Sequence, residues 1–216
     1  MNRALTDYIQ LTEDFGKIYT RILADLRRKF PEVEIKRDWF GTELLRFEQS
    51  QSRYAFLIAN FHGDEVFASL SLLLCLEAHR TFDHNILAVP IASKVKRENV
   101  DFSFRRRVID FLERREVSLL VIFSQSHPYL DGFHVYVPSV NMQHDKSRQI
   151  IKEVAKHGHE VGAFCSSYDK PKYSVVRAGE DELVSLAAIR GIEAYRFALS
   201  QDIWAGYRAM LTLMKR

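Results

Sequence analysis

Tyr54-Ala-Phe-Leu-Ile-Ala-Asn-Phe-His-Gly-Asp-Glu65 is the stretch on which the fold turns, because an apolar run passes straight into a short polar loop. The run is too short for a typical helix and nearly continuous in its hydrophobicity. It therefore reads as a strand buried on both faces. A long apolar helical stretch follows, from Val66 to about His79. Working outward, the pattern recurs: a strand over Ile86 to Ile91, a charged helix from about Ser103 to Arg115, and a third strand over Val117 to Phe123. Buried strands alternating with helices predict a mostly parallel sheet covered on both faces. Right-handed crossovers then place the three strand C-termini on one edge.

The flanks complete a three-layer α/β sandwich with a mixed sheet. Phe15, Ile18, Tyr19, Ile22 and Leu26 recur at helical spacing, and Pro31 closes that N-terminal helix. Leu44 to Phe47 reads as a strand joined to Tyr54–Ala59 by a polar turn. Phe133–Val137, Val161–Cys165 and Tyr173–Val176 read as further strands, and Asp145 to Lys156 as a helix stopped by Gly158. Glu180 to about Leu199, and Gln201 to the end, read as helical. With no internal repeat or linker, residues 1–216 are expected to form one domain, with the helix in 1–35 packed on it.

Composition narrows the function. The chain has 216 residues, a formal net charge of +3 and 27% charged residues, which suits an ordinary globular surface and not a strongly basic nucleic-acid binder. No apolar run approaches the roughly 18–20 residues of a membrane span, and the first ten residues offer no signal-peptide core. Two cysteines, Cys75 and Cys165, are too few for a disulfide framework, so a cytoplasmic protein is expected.

In open α/β sheets, ligands bind beyond the strand C-termini. Three such loops carry titratable groups: Phe61-His-Gly-Asp-Glu65, Ser124-Gln-Ser-His-Pro128 and Arg177-Ala-Gly-Glu-Asp-Glu182. His62 and Glu65, three residues apart with Gly63 between them, suit two ligands of a three-ligand zinc site. The open fourth position would hold water acidified to a pKa near 7. The same pair also suits a helix start, with Glu65 complementing the helix dipole.

Leu57-Ile-Ala-Asn-Phe-His-Gly-Asp-Glu65 resembles the metal loop of the zinc carboxypeptidases and of their relatives, the succinylglutamate desuccinylases and aspartoacylases. Gly41-Thr-Glu-Leu-Leu-Arg-Phe47 resembles the preceding strand, Ala88-Val-Pro-Ile-Ala92 the second core strand, and Asp131-Gly-Phe-His-Val-Tyr136 a segment after the third ligand in some bacterial members. The resemblance spans roughly residues 36 to 199 and rests mainly on the H-G-D-E loop. It implies a zinc-dependent hydrolase of an amide or peptide bond, acting on a small peptide or acyl-amino acid.

Carried over residue by residue, His62 and Glu65 match the first two zinc ligands. The third falls on His127, or on Gln125 in a weakened site. The family's Asp that precedes the third ligand is absent here. The substrate-carboxylate clamp should lie near Arg97-Glu-Asn-Val-Asp-Phe-Ser-Phe-Arg-Arg-Arg107. Ser103-Phe104 stands where an Asn-Arg pair is usual, leaving Arg97 or Arg105 to hold an anion through a guanidinium. The catalytic Glu expected at the end of a late strand has Arg177 near its slot, so Glu180 is the candidate base. These departures leave a second reading open: a metal- or ligand-binding protein on the same scaffold, with catalysis lost.

Overall fold

In the computed structural model, the described residues are 3–39, 42–49, 53–59, 65–78, 80, 82–92, 103–114, 116–125, 132–139, 144–156, 164–165, 170–171, 173–200 and 202–214. Helix α1 (Arg3–Lys29) ends in Arg27, Arg28 and Lys29, whose charges complement the negative end of the helix dipole. Phe30 behind it is buried, and Pro31 prevents continuation. Next come β1 (Glu34–Trp39), β2 (Thr42–Phe47), β3 (Tyr54–Ala59), α2 (Val66–Glu77), β4 (Asn85–Val89), α3 (Ser103–Glu113) and β5 (Val117–Gln125). The second half holds β6 (Phe133–Val137), α4 (His144–Ala155), β7 (Phe164–Cys165), β8 (Lys170–Pro171), β9 (Tyr173–Arg177), α5 (Leu183–Ile189), β10 (Glu193–Leu199) and α6 (Ile203–Met214).

Eight strands form one mixed sheet in the order β1-β2-β4-β3-β5-β10-β6-β9, while β7 and β8 pair separately. The central four, β4, β3, β5 and β10, are mutually parallel, so their C-termini share one edge. β6 runs antiparallel to β10, and β9 runs parallel to β6. Alternation along β5 divides the core. Leu119, Val121 and Phe123 face a layer containing α1, α2, α4 and α6; Leu120 and Ile122 face α3 and α5. This is the three-layer α/β sandwich expected from the sequence.

Two expectations are corrected. β2 and β3 are not a hairpin pair, because β4 lies between them and pairs antiparallel with β2. The polar Glu34–Trp39 stretch is an edge strand, paired with β2 and seating Ile35 against the core. Most consequentially, the long helix expected over Glu180 to Leu199 is a short helix followed by β10, at the centre of the sheet. Gly191, at φ +76°, supplies the left-handed residue that stops α5 and turns the chain into β10. Tyr195 and Phe197 of β10 are fully buried. The Phe197 ring packs 5.6 Å from both Phe123 and Phe133, edge-on to the former.

Helices α2 and α6 pack closely beside this cluster. Gly206 makes the approach possible: a Cβ there would lie 2.1 Å from Ser71 Oγ and 3.1 Å from atoms of Leu199 and Phe123. Ser71 donates its hydroxyl proton to the Ile203 carbonyl at 2.7 Å, tying α2 to the start of α6.

Candidate metal centre at the sheet edge

The site begins with the physics of a parallel strand. β3 delivers its chain end to the edge shared by β4, β5 and β10, and the next described residue is Glu65, immediately before α2. The described residues at this edge are tied to one another: Ala92 N donates to Ala59 O at 2.9 Å, and Ser69 Oγ donates to Pro90 O at 2.7 Å. Helix α2 is apolar around nearly its whole circumference and buried almost throughout, so its first residue is drawn inward with it.

Glu65 is 3% exposed, a severe setting for a carboxylate. It makes no side-chain cap to its own helix. Instead Oε1 accepts the Gln125 backbone N–H at 3.2 Å, placing the carboxylate against the last residue of β5. The dipole-only role open in the sequence is therefore not its whole role: the side chain reaches across to the neighbouring crossover. Gln125 lies level with Leu199, Phe133 and Tyr173 across the sheet. Its Oε1 is buried and has no hydrogen-bond partner among the described residues. A carboxylate buried at this edge is chemically suited to be one ligand of the zinc implied by the sequence, whereas an amide oxygen is a poor zinc donor.

His62, Gly63 and Asp64 lie outside the described residues, as do His127 and Arg97. Among the described residues, no three His, Cys, Asp or Glu side chains gather as a metal cluster. Arg105 is described. On the first turns of α3, it pairs with Asp181 Oδ2 at 3.1 Å and also donates to the Asp181 carbonyl at 3.1 Å. That fastens α3 to the segment before α5, on the face of the sheet opposite α2.

Of the three loops singled out in the sequence, the one after β9 starts from the opposite edge of the sheet. Register runs Phe133↔Tyr173 at the metal-loop edge and Val137↔Arg177 at the other end, so β9 leads away from Glu65. Glu180 is exposed three residues beyond that far end. Its neighbour Glu182 pairs with Arg196 at 2.9 Å, on the α3 and α5 side. The late strand that does end at the metal-loop edge is β10, which closes with Phe197, Ala198 and Leu199 and offers no carboxylate there. Asp202, just beyond, is committed to capping Trp204 N at 2.9 Å and pairing with Arg208 at 2.7 Å.

One further histidine lies beside this edge, on the strand face that its alternation with Val135 predicts. His134 of β6 is buried and shares a row on the α3 and α5 face with Ser124, Ala198 and Ser174. Its Nδ1 lies 2.8 Å from Ser174 Oγ. Strand alternation alone could not distinguish this from an ordinary face residue. Cys75 is no rival nucleophile, because complete burial pushes its thiol well up.

No protein-family model matches this sequence, and no curated protein does. Solved structures match the fold. A provisionally assigned metallopeptidase from Shewanella denitrificans superposes with a TM-score of 0.66 at 11% identity, covering 93% of this chain and 89% of that one. A metallo-carboxypeptidase from Burkholderia cenocepacia gives 0.62 at 11% identity, covering 90% and 67%. A succinylglutamate desuccinylase/aspartoacylase from Rhodobacter sphaeroides gives 0.54 at 11% identity, covering 80% and 57%. The chain thus has the metallo-carboxypeptidase fold that its H-G-D-E loop suggested. No helix among the described residues is long and apolar enough to cross a membrane.

Proposed function

We propose that the chain is a zinc-dependent metallohydrolase cleaving an amide or peptide bond in a small peptide or acyl-amino acid, with His62, Glu65 and His127 as metal ligands. The observation that carries this reading is the buried Glu65 carboxylate held against the end of β5, on the edge where four parallel strands end. A zinc ion at two imidazoles and a carboxylate supplies Lewis acidity toward a carbonyl and acidifies water.

The chain's own residues set the conditions. The Gln125 N–H fixes one Glu65 oxygen and so orients the other, the part a neighbour plays for any ligating group. The orphaned Gln125 Oε1 stands ready as a substrate contact. Arg97 and Arg105 are the proposed anchors for a substrate carboxylate, and Arg105 must first release Asp181. A cytoplasmic setting suits the sparse cysteines.

A second reading is favoured by one observation: β10 ends in Ala198-Leu199 and β9 carries Glu180 away from the edge. On that reading the chain binds metal or ligand without turnover. Metal analysis and a hydrolysis panel decide. The first reading expects about one zinc per chain, its loss in His62→Ala, and zinc-dependent cleavage of acyl-amino acids or short peptides that Glu65→Gln abolishes. Zinc bound without cleavage supports the second reading. Full zinc content in His62→Ala refutes the ligand set.

A further inference from the structure

The opposite edge of the sheet, where β3, β4, β5 and β10 begin, holds a cavity of about 380 Å³ lined by Arg53, His84, Ser118, Pro138, Gly191 and Glu193 among others. Ser118 lies seven residues from Gln125 along β5, or about 23 Å at the usual strand rise. The cavity is therefore separate from the Glu65 corner.

Its walls follow from strand starts. Arg53 and His84 immediately precede β3 and β4, and Arg53 O accepts Asn85 N at 3.0 Å. Between β3 and β5 the register shifts: Tyr54 pairs with Val117 but Ala55 with Leu119, leaving Ser118 as the extra residue of a bulge. Bulges of this kind redirect a side chain out of the regular ladder. Gly191 keeps one side open, since a Cβ there would meet nothing within 4 Å.

The polar groups are unevenly satisfied. Glu193 is committed, accepting from Lys146 Nζ at 2.9 Å and from the Tyr195 hydroxyl at 2.9 Å. His84 Nδ1 and Ser118 Oγ have no hydrogen-bond partner among the described residues. Arg53 makes no ion pair among them. His84 Nδ1 and Ser118 Oγ are both shut off from solvent as placed, so each meets a ligand only after its side chain rotates toward the cavity. What remains unspent is a set of donors: a guanidinium with five N–H groups, an imidazole N–H and a hydroxyl. Such a set calls for several acceptor oxygens carrying negative charge.

We propose that this cavity is a binding site for a small oxyanion, a carboxylate or phosphate group on a molecule of modest size, held by Arg53 with His84 and Ser118. It does not depend on the hydrolase reading. The test is calorimetric titration of the full chain with inorganic phosphate and, separately, with succinate, repeated on Arg53→Ala, Arg53→Lys and Glu65→Gln. Saturable binding of either anion is expected, weakened at least tenfold by Arg53→Ala, less by Arg53→Lys, and unchanged by Glu65→Gln. Phosphate alone binding assigns the site to phosphates, and succinate alone to carboxylates. No saturable binding of either, or binding that survives Arg53→Ala, overturns the proposal. Binding lost in Glu65→Gln instead places the anion at the other edge and equally overturns it.

Discussion

Gly206→Ala is the substitution whose outcome the packing constrains most sharply. In a solvated helix it would stabilise by about 1 kcal/mol, because alanine is the better helix former. Here the new methyl carbon would lie 2.1 Å from Ser71 Oγ and 3.1 Å from Leu199 Cδ2 and Phe123 Cε1. The hydroxyl must rotate away, losing its 2.7 Å bond to Ile203 O while remaining fully buried. A lost hydrogen bond with a stranded buried group costs about 1–2 kcal/mol. Pushing Leu199 and Phe123 aside adds about 1–3 kcal/mol of overpacking. Set against the propensity gain, the net loss is about 2 kcal/mol, or ~4–8 °C in Tm for a chain of this size. Urea unfolding followed by circular dichroism measures it as a lowered midpoint at unchanged slope. Ser71→Ala removes the clashing oxygen, so the double variant should lose clearly less than the sum of the two singles. A Gly206→Ala protein as stable as the parent, or strictly additive losses, would refute the close-packing argument.

Titratable side chains give further expectations. Burial first, then the nearby Glu193 carboxylate, pushes the Tyr195 phenol up. The unfolded phenol ionises near pH 10 while the folded one stays neutral, so this contribution is present below pH 10 and lost as pH rises above it. Alkaline titration of Tm should show Tyr195→Phe falling less steeply than the parent above pH 10. Desolvation lowers the His84 pKa, so the unfolded state takes up the proton first and stability falls as pH drops below about 6.5. His84→Gln should flatten Tm between pH 7 and 5 relative to the parent. If the chain proves active, Glu180→Gln should leave kcat within about twofold, because β9 carries that residue from the metal-loop edge; a hundredfold drop would restore it as the base.

Legibility in the sequence tracked how far local pattern and tertiary demand agreed. β3, β4 and β5 showed themselves because strands buried on both faces are apolar throughout, and the polar Phe61–Glu65 loop interrupts that run abruptly. Glu193 to Leu199 misled because Ala194, Tyr195, Phe197 and Ala198 fall at i, i+1, i+3 and i+4, which is also one face of a helix. Glu, Ala, Arg and Leu are moreover good helix formers. The aromatic pair and the preceding Gly191 were the signals for a strand. The same ambiguity reaches the site, since pattern alone offers β9 as the late strand, whereas β10 is the one that ends at the metal-loop edge. Glu65 needed no tertiary knowledge to be singled out. Its contact with Gln125 did, because it links residues 60 apart through two crossovers.

Helix α2 carries a practical consequence. Its surface is greasy on every side, and it stays in solution only because α1, α6 and the sheet wrap it. Any partial opening that lifts α1 or α6 would uncover a sticky rod before the sheet itself comes apart. Clumping, not loss of secondary structure, should then be the first sign of damage on warming or storage, and concentrated stocks should spoil sooner than dilute ones.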